Sequence, residues 1–113
     1  MTTRLTPRMR LLGALALGLL APLSAAHADG AWAHAHPRRD QVLDRTHKLN
    51  RRIRHERREG ELSPAHARAL HAQVRDTRVE QRDMANANGG YITKSQQAGL
   101  NQQENSISRQ IGQ

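Results

Sequence analysis

The chain has 113 residues, no cysteine, 2% aromatic residues and a formal net charge of +8. This length allows one small domain, and the lack of cysteine excludes disulfides and thiol chemistry. Fifteen large apolar residues follow position 28. A core of that size is marginal for a small domain without disulfides, so we expect modest stability or completion of the core by a partner or a second copy of the chain.

Residues 1–28 have the three-part order of a cleavable secretory signal peptide. Three arginines precede an apolar run at 11–20, which is too short to span a bilayer. Small residues favour cleavage after Ala28, with Ala26 and Ala33 as alternatives. We therefore predict a periplasmic or secreted protein that has no transmembrane anchor after cleavage.

Residues 29–39 show no apolar periodicity, and we predict a flexible lead-in there. Helical spacing of apolar residues begins near residue 40 and indicates helices near 40–58, 64–84 and 94–111. The sequence thus predicts an all-α, three-helix antiparallel bundle over residues 40–113. Each helix has one narrow apolar seam, and the seams are Val42, Thr46, Leu49, Ile53; Leu70, Val74, Thr77, Gln81; and Leu100, Glu104, Ile107, Ile111.

The two predicted loops repeat the pattern Gly-x-[Leu/Ile]-[Ser/Thr] at an offset of thirty residues. Glycines 60 and 90 can close the preceding helices in a left-handed conformation. Ser63 and Thr93 are expected N-caps, and Thr93 with Gln96 has the spacing of a capping box.

This loop pattern resembles the second half of an EF-hand loop, which has glycine at position 6 and an aliphatic residue at position 8. Calcium also needs oxygen ligands at positions 1, 3, 5 and 12. The corresponding residues are His55, Arg57, Glu59 and His66 in the first loop and Ala85, Ala87, Gly89 and Gln96 in the second. The pattern therefore predicts a degenerate EF-hand without calcium binding.

Residues 40–111 as a whole look like small, mostly uncharacterised periplasmic helical proteins of Gram-negative bacteria that carry such loops. Residues 92–96, Ile-Thr-Lys-Ser-Gln, also resemble the LTxxQ signature of Spy/CpxP-type periplasmic chaperones. Residues 62–66 form a poorer second copy. The chaperone resemblance implies binding of unfolded clients or a role in envelope stress, whereas a well-capped helix start explains the same five residues.

Six histidines follow residue 28, and exported histidine-rich proteins often bind copper or zinc. No two of the helical histidines have the i, i+3 or i, i+4 spacing that places two ligands on one helix face. The pair His34 and His36 could bind either metal loosely. Cleavage after Ala33 would give His34 a free amine and create a square-planar copper site with His36. We otherwise expect no cofactor.

The segment from Arg38 to Arg58 holds nine basic and three acidic residues. Without stacking aromatics it lacks the pattern of a single-strand nucleic-acid binder, and export removes nucleic acid as a target. The predicted partners are acidic proteins, protein clients or an anionic envelope surface, and the alternative is a solvated face. The residues of this predicted surface are Arg45, Lys48, Arg51, Arg52, Arg54, Arg57 and Arg58.

No nucleophile–base grouping or paired carboxylates appear, and a narrow-seamed bundle of this size should lack a substrate pocket of a few hundred cubic ångströms. The sequence therefore predicts a non-enzymatic exported interaction protein, chaperone-like or stress-related and capable of forming homo-oligomers. The alternative is a periplasmic copper- or zinc-binding protein that uses histidines.

The predicted processing is testable by intact mass spectrometry of the protein recovered from the exported fraction of an expressing cell. We expect a metal-free chain that starts at Asp29, because Ala26 and Ala28 occupy the two positions that signal peptidase reads. A copper-loaded chain that starts at His34 would instead support the histidine alternative. Retention of residues 1–28 would contradict the prediction of a cleaved signal peptide.

Overall fold

The structure is a computed structural model that describes residues 30–112. The chain divides into two units, residues 1–35 and residues 36–113. Residues 30–35 of the first unit are helical, and the predicted signal peptide at 1–28 lies outside the described residues. The second unit contains α1 (Pro37–Arg58), α2 (Pro64–Ala87) and α3 (Lys94–Ile111). The described residues contain no β-strand, so the predicted all-α class is confirmed.

The first helix begins earlier than the sequence analysis predicted, inside the supposed flexible lead-in at 29–39. Pro37 occupies the first turn, where its fixed φ angle suits a helix and its missing N–H costs nothing. Asp40 also lies in this turn, and its N–H donates to the carbonyl of His36 at 2.9 Å. A carboxylate at this end is favourable to the helix dipole. The helix therefore starts at a proline that the search for apolar periodicity passed over.

Each of the three helices packs against the other two, and their buried side chains form two apolar clusters. The larger cluster contains Leu49, Ile53, Leu62, Ala67, Leu70, Val74, Ile107 and Ile111. The smaller one contains Val42, Ala85, Ile92 and Leu100, with Met84 against it. Along α1 and α3 the chain passes from the smaller cluster to the larger one, and along α2 it passes back. The helices therefore run up, down and up, with α2 antiparallel to both neighbours.

In the two loops, glycine and N-cap residues end one helix and begin the next, as the sequence predicted. Gly90 has a φ of 99°, and its N–H donates to the carbonyl of Ala85 at 2.7 Å, which closes α2. The Ser63 hydroxyl accepts the N–H of His66 at 3.1 Å. Thr93 and Gln96 form a reciprocal capping box, with N···O distances of 2.9 and 3.0 Å. Each loop therefore fixes where the next helix begins.

Within residues 30–112, no helix combines the length and the apolar character needed to cross a membrane.

Replacement of Thr93 by alanine should lower the free energy of unfolding by about 1 kcal/mol, because the first turn of α3 loses its side-chain acceptor. Urea unfolding followed by helical circular dichroism measures the change. Ser95→Ala, two residues along the same exposed turn, is the matched control and should change stability by only a few tenths of a kcal/mol. Equal effects of the two substitutions would contradict the capping role of Thr93.

Candidate anion-binding site

Four polar side chains separate the two apolar clusters, and all four are at most 4% exposed: Thr46, Thr77, Gln81 and Glu104. We call them the polar layer. The Thr46 hydroxyl donates to the carbonyl of Leu43 at 2.6 Å. The Thr77 hydroxyl lies 3.0 Å from the carbonyl of Gln73. Gln81 donates from Nε2 to the carbonyl of Arg78 at 3.1 Å. Three members of the layer thus have hydrogen-bond partners, as buried polar groups require.

Glu104 is the exception in the polar layer. Its side chain is fully buried, and neither carboxyl oxygen has a hydrogen-bond partner in the described part of the chain. Burial raises the pKa of Glu104 from its ordinary value of 4.5 to about 7, although the Arg45 guanidinium opposes the shift. Desolvation penalises the charged carboxylate more than a nearby cation favours it. Glu104 is therefore largely protonated below neutral pH.

Three arginines of α1 point toward α3 and the loop before it. Arg38 donates to the carbonyl of Ile92 at 3.2 Å, and Arg45 donates to the carbonyl of Asn101 and the Oδ1 atom of Asn105. Arg52 donates to the Ser108 hydroxyl and the Gly112 carbonyl, both at 2.7 Å. Two of the seven predicted surface residues, Arg45 and Arg52, therefore hold α1 against α3.

The remaining five residues of that predicted surface do not form one patch. Lys48 pairs with Asp44 at 3.2 Å, with both side chains more than half exposed. Arg51, Arg54, Arg57 and Arg58 are exposed, and Arg54 also lies close enough to His71 of α2 to affect its titration. Exposed pairs such as Lys48–Asp44 contribute little stability. The predicted surface is thus distributed around α1.

A second set of cationic side chains meets where α1 packs against α2. A groove of about 400 Å³ runs between these helices. Its walls carry four arginines and no acidic residue, and two aliphatic side chains lie between them. The lining residues are Arg39, Leu43, Arg75, Arg78, Val79, Gln81 and Arg82. We call this surface the α1/α2 groove. Arg75, Arg78 and Arg82 share one face of α2, because they are three and four residues apart.

Neutral groups position two of the groove arginines. Arg39 donates from Nε to Oε1 of Gln81 at 2.9 Å and from a terminal nitrogen to the carbonyl of Gly90 at 3.1 Å. Arg78 donates to the Thr46 hydroxyl at 3.2 Å and lies 3.3 Å from Nε2 of His47. Three of these acceptors, on Gln81, Gly90 and Thr46, are uncharged, and they position the two guanidinium groups.

Outside the groove lining, the α1/α2 interface places His71 of α2 near Arg54 of α1. His71 Nδ1 lies 2.8 Å from Oδ1 of Asn50 across the two helices. Burial and the nearby Arg54 guanidinium hold the pKa of His71 below its ordinary value, since both disfavour a second positive charge. The interface therefore disfavours protonation of His71 beside Arg54.

The structure assigns several histidines to contacts with neighbouring side chains. His36 stacks on Tyr91 with ring centroids 4.8 Å apart. His34 belongs to the N-terminal unit, and His36 belongs to the three-helix unit. In the described range 30–112, no three histidine, aspartate or glutamate side chains are grouped so that they could hold a metal ion. The histidine alternative thus gains no preformed cluster from these residues.

A smaller groove of about 260 Å³ lies between α2 and α3, lined by Gln73, Asp76, Thr77, Gln103, Ser106 and Ile107. Both grooves reach the volume of a few hundred cubic ångströms that the narrow seams were expected to exclude. The α2/α3 groove contains one carboxyl group and neither a histidine nor a cysteine beside its serine and threonine. Such a lining offers no activated nucleophile.

The sequence analysis missed the arginines of α2. The segment from Glu59 to Asp83 has four basic and five acidic residues, so its sum suggested no charged surface. The overlooked signal was the helical spacing of Arg75, Arg78 and Arg82, which places the three arginines on one face of α2. Glu80, an acidic residue of the same helix, faces α3, where it accepts a hydrogen bond from Gln103 at 3.0 Å.

Comparisons of the chain with protein-family models, curated proteins and solved structures found no match. The likeness to periplasmic helical proteins and to Spy/CpxP-type chaperones therefore rests on the loop residues alone.

The free energy of unfolding should fall as the pH rises from about 4.5 to about 7, because Glu104 ionises in the unfolded chain before it ionises in the fold. A raised native pKa stabilises the fold fully below the unfolded value and loses this contribution through the native value. The expected loss is on the order of 2 kcal/mol, less than the full shift implies, because water entering around the carboxylate lowers its cost.

Urea unfolding at several pH values measures this dependence, and Glu104→Gln should remove most of it. The amide keeps the shape of the side chain and does not ionise. Glu80→Gln, at an exposed position on α2, is the control and should keep the dependence of the unaltered protein. An unchanged pH dependence in Glu104→Gln would show that the buried carboxyl is not its source.

Proposed function

We propose that this chain is a non-enzymatic, exported interaction protein of the periplasm or extracellular space that binds acidic protein surfaces. The α1/α2 groove carries this proposal. It presents four guanidinium groups around two aliphatic side chains and has no acidic residue in its lining. The export part of the proposal is supported by the three-part signal pattern at 1–28.

The charge of the groove is available to a partner. Arg75 and Arg82 are exposed. The Arg82 guanidinium lies 4.0 Å from the Asp83 carboxylate, at the limit of an ion pair, with both side chains more than 60% exposed. A guanidinium matches a carboxylate with two parallel hydrogen bonds. A partner that presents several carboxylates can thus bind without breaking contacts within the bundle.

An acidic protein surface fits the groove better than nucleic acid does. Stacking platforms for single strands need aromatic side chains on the binding surface, and the groove lining has none. Leu43 and Val79 lie between the arginines, where a protein partner can place an aliphatic side chain. The chaperone-like form of the proposal draws on this mixture of apolar and cationic surface, together with the LTxxQ-like residues 92–96.

The proposal is tested by titrating the protein with poly-L-glutamate at low and moderate salt. Binding should weaken steeply as salt rises, because exposed charges are screened within about 10 Å at 0.1 M salt. The double variant Arg75→Gln/Arg82→Gln should bind at least about tenfold more weakly, which assigns roughly 0.7 kcal/mol to each lost charge pair.

The matched control is Arg51→Gln/Arg58→Gln. It removes the same charge from two exposed positions of α1 that do not line the groove. Equal weakening by both double variants would indicate a diffuse response to net charge and would contradict the groove as the binding site. Circular dichroism of each variant checks that the helices are intact.

A further inference from the structure

Leu43 and Val79 are aliphatic residues that the fold leaves outside its core. Neither belongs to either apolar cluster, and Val79 remains 37% exposed. Both line the α1/α2 groove. An aliphatic pair from two helices, placed beside guanidinium groups, can receive one apolar side chain from a ligand whose neighbouring groups are anionic.

The spacing of the arginines sets the pattern of charges that this site would recognise. Arg75 and Arg82 are seven residues apart on α2, which corresponds to about 10 Å along the helix axis. Val79 lies between them. In an extended peptide, side chains alternate between opposite faces, so residues i, i+2 and i+4 share one face over about 13 Å. Two carboxylates at i and i+4 can reach Arg75 and Arg82 through the long side chains of both partners, while the side chain at i+2 contacts Val79.

From this arrangement we infer that the α1/α2 groove recognises an extended acidic peptide segment in which one aliphatic residue lies midway between two carboxylates four residues apart. The inference rests on the proposed function and specifies its ligand. The aliphatic residue contacts Leu43 and Val79, and the carboxylates pair with Arg75 and Arg82. Arg78, held by Thr46 and His47, contributes a fixed charge beside the apolar contact.

A protein segment suits the groove better than a lipid does. Five of the seven lining residues are arginine or glutamine, and only two are aliphatic. Transfer of a lipid chain from a membrane needs an apolar surface along many methylene groups. The Leu43–Val79 pair can cover only a few carbons, which is the size of one leucine side chain.

The test compares two labelled peptides that are identical except at one position. The first contains Glu-Ser-Leu-Ser-Glu within a neutral sequence, and the second contains Glu-Ser-Ser-Ser-Glu. Fluorescence anisotropy at low salt measures both affinities. The leucine peptide should bind about fivefold more tightly, the effect expected from partial burial of one leucine side chain. It should also shift the methyl NMR resonances of Leu43 and Val79.

The variant Val79→Ser should remove the preference for the leucine peptide while it retains binding of the serine peptide. Ala69→Ser, another exposed position on α2 outside the groove, is the matched control and should keep the preference. Because Val79 is exposed and outside the clusters, its replacement should leave the bundle folded. Leu43→Ala, on the opposite wall of the groove, should also reduce the preference for the leucine peptide.

The other outcomes overturn the inference in distinguishable ways. Equal binding of the two peptides would show that the apolar contact does not contribute to binding, and it would leave the proposed function intact. Failure of both peptides and of poly-L-glutamate to bind would remove the proposed function as well. Binding of vesicles that contain phosphatidylglycerol, weakened by Val79→Ser and without a leucine preference among peptides, would assign the groove to anionic lipid.

Discussion

The narrowness of the apolar seams is the constraint on which the rest of this structure depends. Each helix contributes a single line of apolar side chains, too narrow to cover the sides on which it meets two neighbours. Polar side chains must therefore complete the helix interfaces. Between α1 and α3, arginines do this by donating to carbonyl, amide and hydroxyl oxygens of α3 and its flanks. Their aliphatic stems can cover the apolar seam while the guanidinium groups reach acceptors.

At the α2/α3 interface, amide side chains complete the contact that the narrow apolar seams leave open. Gln73 and Gln110 exchange hydrogen bonds at 2.9 and 3.2 Å, and Gln103 lies between Thr77 and Glu80. Neither set of contacts requires charge neutralisation, because the arginine partners on α3 are neutral and the amides are neutral themselves. This use of neutral acceptors explains why a bundle with so many arginines contains few ion pairs in its described part. The net charge of the chain is therefore retained at its surface.

Much of the fold could be predicted from the sequence, since the seams and caps are local patterns. Spacing of apolar residues gave the three helices, and Thr93 with Gln96 gave the start of α3. The start of α1 at Pro37 was not predicted, because the helix begins with polar residues before its first buried one, Val42. The sequence spacing predicted the seam positions even where they are polar. It could not predict that Glu104 is buried without a hydrogen-bond partner, because that depends on how the three helices meet around it.

The candidate site was harder to predict because it depends on which side of each helix faces which neighbour. Sequence spacing grouped the arginines of α1 as one surface, whereas contacts with α3 occupy Arg45 and Arg52. A count of charge along α2 set its arginines against the acidic residues of the same segment, although Arg75, Arg78 and Arg82 share one helix face. A count of charge along the chain cannot separate these cases. The relevant information is the pairing of helix faces, which the seams determine only when the helix directions are known.

The arginines of the α1/α2 groove lower the stability of the folded chain through electrostatic repulsion. Like charges gathered along one interface repel one another, and Arg75, Arg78 and Arg82 lie together on the α2 wall of the groove. A partner that supplies carboxylates removes part of the repulsion when it binds. Binding to the folded chain alone must stabilise that fold by mass action. We expect a folded unit of modest stability because its core is small, and the α1/α2 groove is the surface on which an acidic partner would add to that stability.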